Sequence, residues 1–140
     1  MPDPDYAAFS ALDPFFDIVE RGLAGLVDGE HYFDMIASDA VFEFQYRFPG
    51  WPTKIVGRAA LMAGYAGYGD SMVLHGAGGL VVNISRTPGV VILEYEVEGN
   101  AVGSGKLYEN RFISVVTIRD RKIVSWRDYM DSLAAMSART

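Results

Sequence analysis

The chain has 140 residues, half of them hydrophobic and 13% aromatic, enough to bury the core of a single domain spanning 1–140. A formal net charge of −6 argues against a nucleic-acid partner, because phosphate binding needs a basic surface. The absence of cysteine excludes disulfides and thiolate chemistry, and two histidines, His31 and His75, leave little for a metal site, so no metal and no cofactor is expected.

The opening stretch "MPDPDYAAF" is acidic and has no apolar h-region, so no signal peptide is expected. No run of about 18 apolar residues follows, which predicts no membrane span and a cytoplasmic location. "LDPFFDIVERGLAGLVDGE" reads as a helix, with Asp13 as N-cap, Pro14 in the first turn, Phe15, Val19, Leu23 and Leu26 on one face, and Gly29 as the stop. "EHYFDMIA" predicts a short second helix. "VFEFQYRF" alternates as a strand, and "PGWP" breaks it into a loop. "GRAALMAGYAGYG" predicts a third helix. From there the chain turns to β: "MVLHGAG", "LVVNIS", "VVILEYEVEG", "KLYENRFISVVTI" and "KIVSWRDYM" read as strands joined by short turns. "GAGG" is not a dinucleotide fingerprint, since no helix pattern follows it. Helices first and strands afterwards predict an α+β fold with an antiparallel sheet covered on one side.

Period-two alternation sorts the strands into two faces. Phe42, Phe44, Tyr46 and Phe48 share one face with Leu93, Tyr95 and Val97, with Asn110, Phe112 and Ser114, and with Trp126, Asp128 and Met130. The other face carries Glu43, Glu94, Glu96 and Glu109 beside Arg47, Arg111 and Arg127. That pattern suits a solvated, salt-bridged surface or a contact with a second subunit. The aromatic face holds one carboxyl group, Asp128, in the run "IVSWRDYMD". Burial raises a carboxyl pKa, and tuned acids sit in such clefts. On the residues alone two readings stand: an acid lining an apolar pocket, or a structural acid satisfied by its neighbours.

Three helices, a long bent sheet and the ending "YENRFISVVTIRDRKIVSWRDYMD", with "DGEHYFDMIASDAVFEF" followed by "GRAAL" near the start, resemble the nuclear-transport-factor-2-like superfamily. Within it the chain resembles the SnoaL-like group, near ketosteroid isomerases and polyketide cyclases. The resemblance covers nearly the whole chain. It implies a cone, or cystatin-like roll, in which a curved antiparallel sheet wraps three helices of the N-terminal half and leaves an apolar pocket at its open end. It also implies a homodimer through the outer sheet face and a small hydrophobic ligand. The Trp-Arg-Asp-Tyr run is similar to the last strand of limonene epoxide hydrolases, which makes Asp128 the counterpart of a catalytic acid. The other polar groups of that site fall on Phe42 and Phe44 and near Tyr95 and Val97, so epoxide hydrolysis ranks below the other activities.

The resulting expectation is a cofactor-independent isomerase, cyclase or lyase acting on an apolar or cyclic molecule. Asp128 would be the general acid or base, with Tyr46 and Tyr95 polarising a substrate oxygen. Asn110, Phe44, Phe112, Trp126, Met130 and the loop aromatic Trp51 would bind the substrate. His31, beside "DGE", is either a base at the pocket mouth or a helix-terminal residue. The alternative is a ligand-binding or accessory domain without catalysis.

Overall fold

A computed structural model describes residues 6–140; the leader reading of the first five residues lies outside them. Helix α1 (Asp13–Gly22) buries Phe15, Phe16, Ile18 and Val19, one apolar stripe at helical spacing. A 3-10 segment, Ala7–Leu12, runs directly into it, so Leu12 takes the cap position and Asp13 is the first helical residue. The expected extension to Gly29 does not occur. Leu23 still packs in the core, but Gly25 adopts φ 82° and turns the chain away.

The predicted second helix is a single 3-10 turn, Tyr32–Met35. It is closed by a reciprocal cap: His31 Nδ1 accepts from the Phe33 N–H at 3.1 Å, and Asp34 Oδ2 accepts from the His31 N–H at 3.2 Å. Strand β1 (Ile36–Phe44) begins at once, because Ile36 is already paired with Ile123. Then come β2 (Lys54–Val56), α2 (Arg58–Tyr65), β3 (Met72–Ile84), β4 (Val90–Ala101), β5 (Leu107–Arg119) and β6 (Lys122–Met130). The expected third helix is α2, within "GRAALMAGYAGYG", and a further helix that the patterns did not predict, α3 (Ser132–Arg139), lies at the C-terminal end. Asp131 caps it, its Oδ1 accepting from the Ala134 N–H, while Ala135 and Ala138 are buried.

The six strands form one curved, unclosed sheet in the order β2-β1-β6-β5-β4-β3. It is antiparallel except between β1 and β6, which run parallel, a departure from the all-antiparallel expectation. Elements from opposite ends of the chain meet there, so no hairpin dictates their direction. Curvature enters at β3, where the register slips between Leu74 and Gly76 and again between Gly78 and Val81. "HGAGG" is therefore the bend of a long strand and not its end. The two faces sort as alternation predicts. Leu93, Tyr95, Val97, Ser114, Val116 and Trp126 are buried, whereas Glu94, Glu96, Glu98, Glu109, Arg111 and Arg127 are exposed. Among the described residues no helix is long and apolar enough to cross a membrane.

Candidate functional site

Parity and register place Asp128. It lies on β6 opposite Ser114 of β5 on one side and Phe44 of β1 on the other, on the face turned to the helices. Its residue surface is 5% exposed. Oδ1 accepts two hydrogen bonds, from Ser114 Oγ at 2.7 Å and from Trp126 Nε1 at 3.1 Å. The Tyr95 hydroxyl lies 2.7 Å from Ser114 Oγ. Because serine has one proton and spends it on Asp128, Tyr95 is the donor to serine. A short directed chain, Tyr95 to Ser114 to Asp128, thus ends on one carboxylate oxygen. Oδ2 accepts no hydrogen bond from any described residue.

Asp128 lines a cavity of about 390 Å³ at the open end of the sheet. Its wall is largely apolar and rich in aromatic rings, and four tyrosines, Tyr46, Tyr65, Tyr68 and Tyr108, face it. Burial pushes Asp128 from 3.8 up to about 6, against the opposing pull of the bonds from Ser114 and Trp126. Burial also raises all four phenols, Tyr108 to about 12 and the others further, so each remains a neutral O–H donor at physiological pH. The Asp128 charge adds to the rise at Tyr46 and Tyr65. The site therefore combines one carboxyl group that titrates just below neutrality with several phenolic donors around a largely apolar space. No ion pair reaches Asp128 among the described residues, and its neighbour Arg127 is on the exposed face. Each of the two readings of "IVSWRDYMD" meets part of the geometry: Asp128 is satisfied at Oδ1 by Ser114 and Trp126, and it also borders the cavity.

Of the residues expected to form the site, Asp128, Tyr46, Phe112, Met130 and Trp51 line this cavity. Trp51 also stacks on Tyr65, with ring centroids 5.4 Å apart, so packing on α2 and walling the cavity are one arrangement. Five residues stand elsewhere. Tyr95 lies behind Ser114 and does not reach the cavity wall. Trp126 is in the core with its indole N–H on Asp128, and Phe44 is buried against Tyr46 and Trp51. Asn110 is fully occupied: its amide donates to Tyr108 Oη and to the Asp131 carbonyl, and its Oδ1 accepts from the N–H groups of Arg111 and Asp131. It clamps the corner between β6 and α3 and does not line this cavity. His31 caps the 3-10 turn and stacks on Tyr6 at 4.2 Å, and burial lowers its pKa. Being helix-terminal, it is not at the pocket mouth.

Residue patterns had missed Tyr65, Tyr68, Tyr108 and Arg139. Tyr108 had a legible signal, since it shares parity with Asn110, Phe112 and Ser114. Tyr65 and Tyr68 stand three apart in "GYAGYG", a helical spacing hidden by the glycines. Among the described residues no group of three or more His, Asp or Glu is arranged to hold a metal ion.

No family model matches the chain. It is 32% identical over 111 residues to the uncharacterized protein YesE of Bacillus subtilis, covering 79% of this chain and 76% of that one. Over 113 residues it is 28% identical to the uncharacterized PhzA/B-like protein PA3332 of Pseudomonas aeruginosa, covering 79% and 78%. Among solved structures, a Bacillus subtilis protein provisionally named an isomerase superposes with a TM-score of 0.74 at 28% identity, covering 94% of this chain and 91% of that one. A protein of Jannaschia sp. CCS1, provisionally named a SnoaL-like polyketide cyclase, matches with a TM-score of 0.62 at 18% identity over 99% and 97%.

Proposed function

Because the chain belongs to the SnoaL-like group of the nuclear-transport-factor-2-like superfamily, we propose that it is a cofactor-independent acid–base enzyme for a small apolar or cyclic carbonyl compound. Asp128 takes a proton from a carbon next to the carbonyl and returns it to another carbon of the skeleton in an isomerase step, to the alkoxide formed by ring closure in a cyclase step, or to the oxygen that departs in a lyase step. The phenolic O–H of Tyr46, with Tyr65 beside it, donates to the carbonyl oxygen as it gains charge. Tyr95 acts through Ser114 on the position and acidity of Asp128 and does not touch substrate. Phe112, Met130 and Trp51 hold the apolar body.

One observation carries this reading. Asp128 Oδ1 is fixed by two donors, while Oδ2 has no partner among the described residues and the side chain borders an apolar cavity. A base of pKa about 6 is ionised at neutral pH and still strong enough to take a proton in a largely apolar site. The test is deuterium exchange in a panel of cyclic ketones, followed by NMR in D2O. The wild-type protein should exchange protons next to the carbonyl, and Asp128→Asn should be slower by roughly 10²–10⁴-fold. Equal rates in the two proteins would overturn the role of Asp128.

A second reading, a ligand-binding or accessory domain, is favoured by the cavity's single titrating group near neutrality. Ligand binding without exchange in either protein would establish it. Epoxide hydrolysis fits less well, because among the described residues Asp128 is the only carboxylate lining the cavity. The outer sheet face is assigned to a second copy of the chain. Val81, Ile113 and Tyr129 are each at least 40% exposed there, beside the Arg111–Glu96 pair. Sedimentation at micromolar concentration should give a dimer, and a monomer would remove this assignment. A cytoplasmic location belongs to the same proposal.

A further inference from the structure

The mouth of the cavity carries a charge that acid–base chemistry at Asp128 does not use. Arg139, in the last turn of α3, lines the same cavity as Asp128. Its guanidinium carbon sits 5.0 Å from the centroid of the Phe48 ring, another lining residue. The helix that presents it is anchored at several points. Asp131 caps its start, Ala135 and Ala138 are buried along it, and Ser104 Oγ donates to the Ala138 carbonyl at its end. Among the described residues Arg139 has no ion pair and its guanidinium makes no hydrogen bond. Among the described residues it is the only cationic side chain lining the cavity, in a chain of net charge −6.

Stacking on an aromatic face leaves the in-plane N–H groups of a guanidinium free, and their fork matches a carboxylate. The remaining polar groups of the lining agree with this assignment. The phenols suit neutral oxygen acceptors, and Asp128, with its own negative charge, repels an anion. An anionic group entering this cavity is favoured at one place only, the Arg139 mouth. We infer that the cavity binds cyclic carboxylates, with the carboxylate held at its mouth by Arg139 over Phe48 and the opposite end of the ring turned toward Asp128. This rests on the acid–base reading above and deepens it, since the charged group would set which carbon meets the base.

The experiment is calorimetric titration of the full chain with a matched pair, 2-naphthoate and 2-naphthamide, at low ionic strength and pH 7.5. The amide keeps the ring and removes the charge, so the affinity ratio is read within each protein. Wild type should favour the carboxylate by about two- to fivefold, the range of a solvent-exposed ion pair. Arg139→Gln should bring the ratio close to one, and Arg139→Lys should keep part of it. Equal affinities in wild type, absence of binding by both compounds, or a preference that survives Arg139→Gln would each overturn the inference. The exchange assay stays separate. A carboxylate preference without ketone exchange sinks the acid–base reading alone, whereas Asp128-dependent exchange without that preference sinks the anion subsite alone.

Discussion

Ser114 stands directly across the β5–β6 pair from Asp128 and gives its hydroxyl proton to Oδ1 at 2.7 Å. That bond is one of the two forces holding the acid below where burial alone would put it. Replacing Ser114 with Ala should move the Asp128 pKa above about 6, because a bond to the charged form is lost. The same change strands the buried Tyr95 hydroxyl, at a cost of roughly 1–3 kcal/mol in stability. Carboxyl-carbon NMR through a pH titration reads the first effect, and urea unfolding reads the second.

Asp128 should also make the fold less stable at neutral pH than in mild acid. Its folded pKa, about 6, lies above the ordinary 3.8, so between those values the folded state binds the extra proton. The stability contribution of this group is fully present below 3.8 and is lost as pH rises through about 6. The loss is about 3 kcal/mol by linkage. Asp128→Asn removes the titrating charge and keeps an oxygen for both donors. It should therefore unfold at a higher temperature than wild type at pH 8, with the difference shrinking toward pH 4. A difference that does not change with pH would contradict this account.

Tyr46 and Tyr95 should separate under mutation to Phe. Tyr46→Phe removes a donor that faces the cavity and should slow ketone exchange by roughly 10²-fold, with little change in stability. Tyr95→Phe removes only the far end of the hydrogen-bond chain. Its expected signature is a shifted pH profile with a smaller loss of rate.

Gly99 makes a prediction about the scaffold. A Cβ there would collide with the Val73 carbonyl oxygen, at the break in β3 register that curves the sheet. Gly99→Ala must push two backbones apart and should destabilise by roughly 2–4 kcal/mol, measurable by urea unfolding. Gly78, where an added Cβ meets nothing within 4 Å, is the matched control.

The sheet was legible because alternation is a local property. Every charge between Glu94 and Arg111 faces outward, and Tyr95, Ser114 and Asp128 share the inner face as parity required. What alternation cannot report is reach. Tyr95 and Trp126 point inward yet stop behind other groups, while Asn110 is consumed by a chain corner that belongs to no strand. The helices were harder. Gly25 interrupted an otherwise continuous helical pattern, and the "EHYFDMIA" segment spends its polar residues on a cap followed by a strand. Helix α3 was missed although "DSLAAM" carries an N-cap followed by helix formers. Arg139 was hidden with it.

Strand β6 lies between β1 and β5, so the middle of the sheet is supplied by Lys122–Met130, near the end of the chain. A ribosome must deliver the chain through Met130 before the first strand acquires its parallel neighbour. Without β6, β1 with β2 has no pairing to β3 through β5, and both groups of strands would present bare edges, the kind of surface that nascent-chain chaperones shield. The acid that defines the cavity arrives with the strand that joins them, so assembly of the fold and assembly of its chemistry are the same late event.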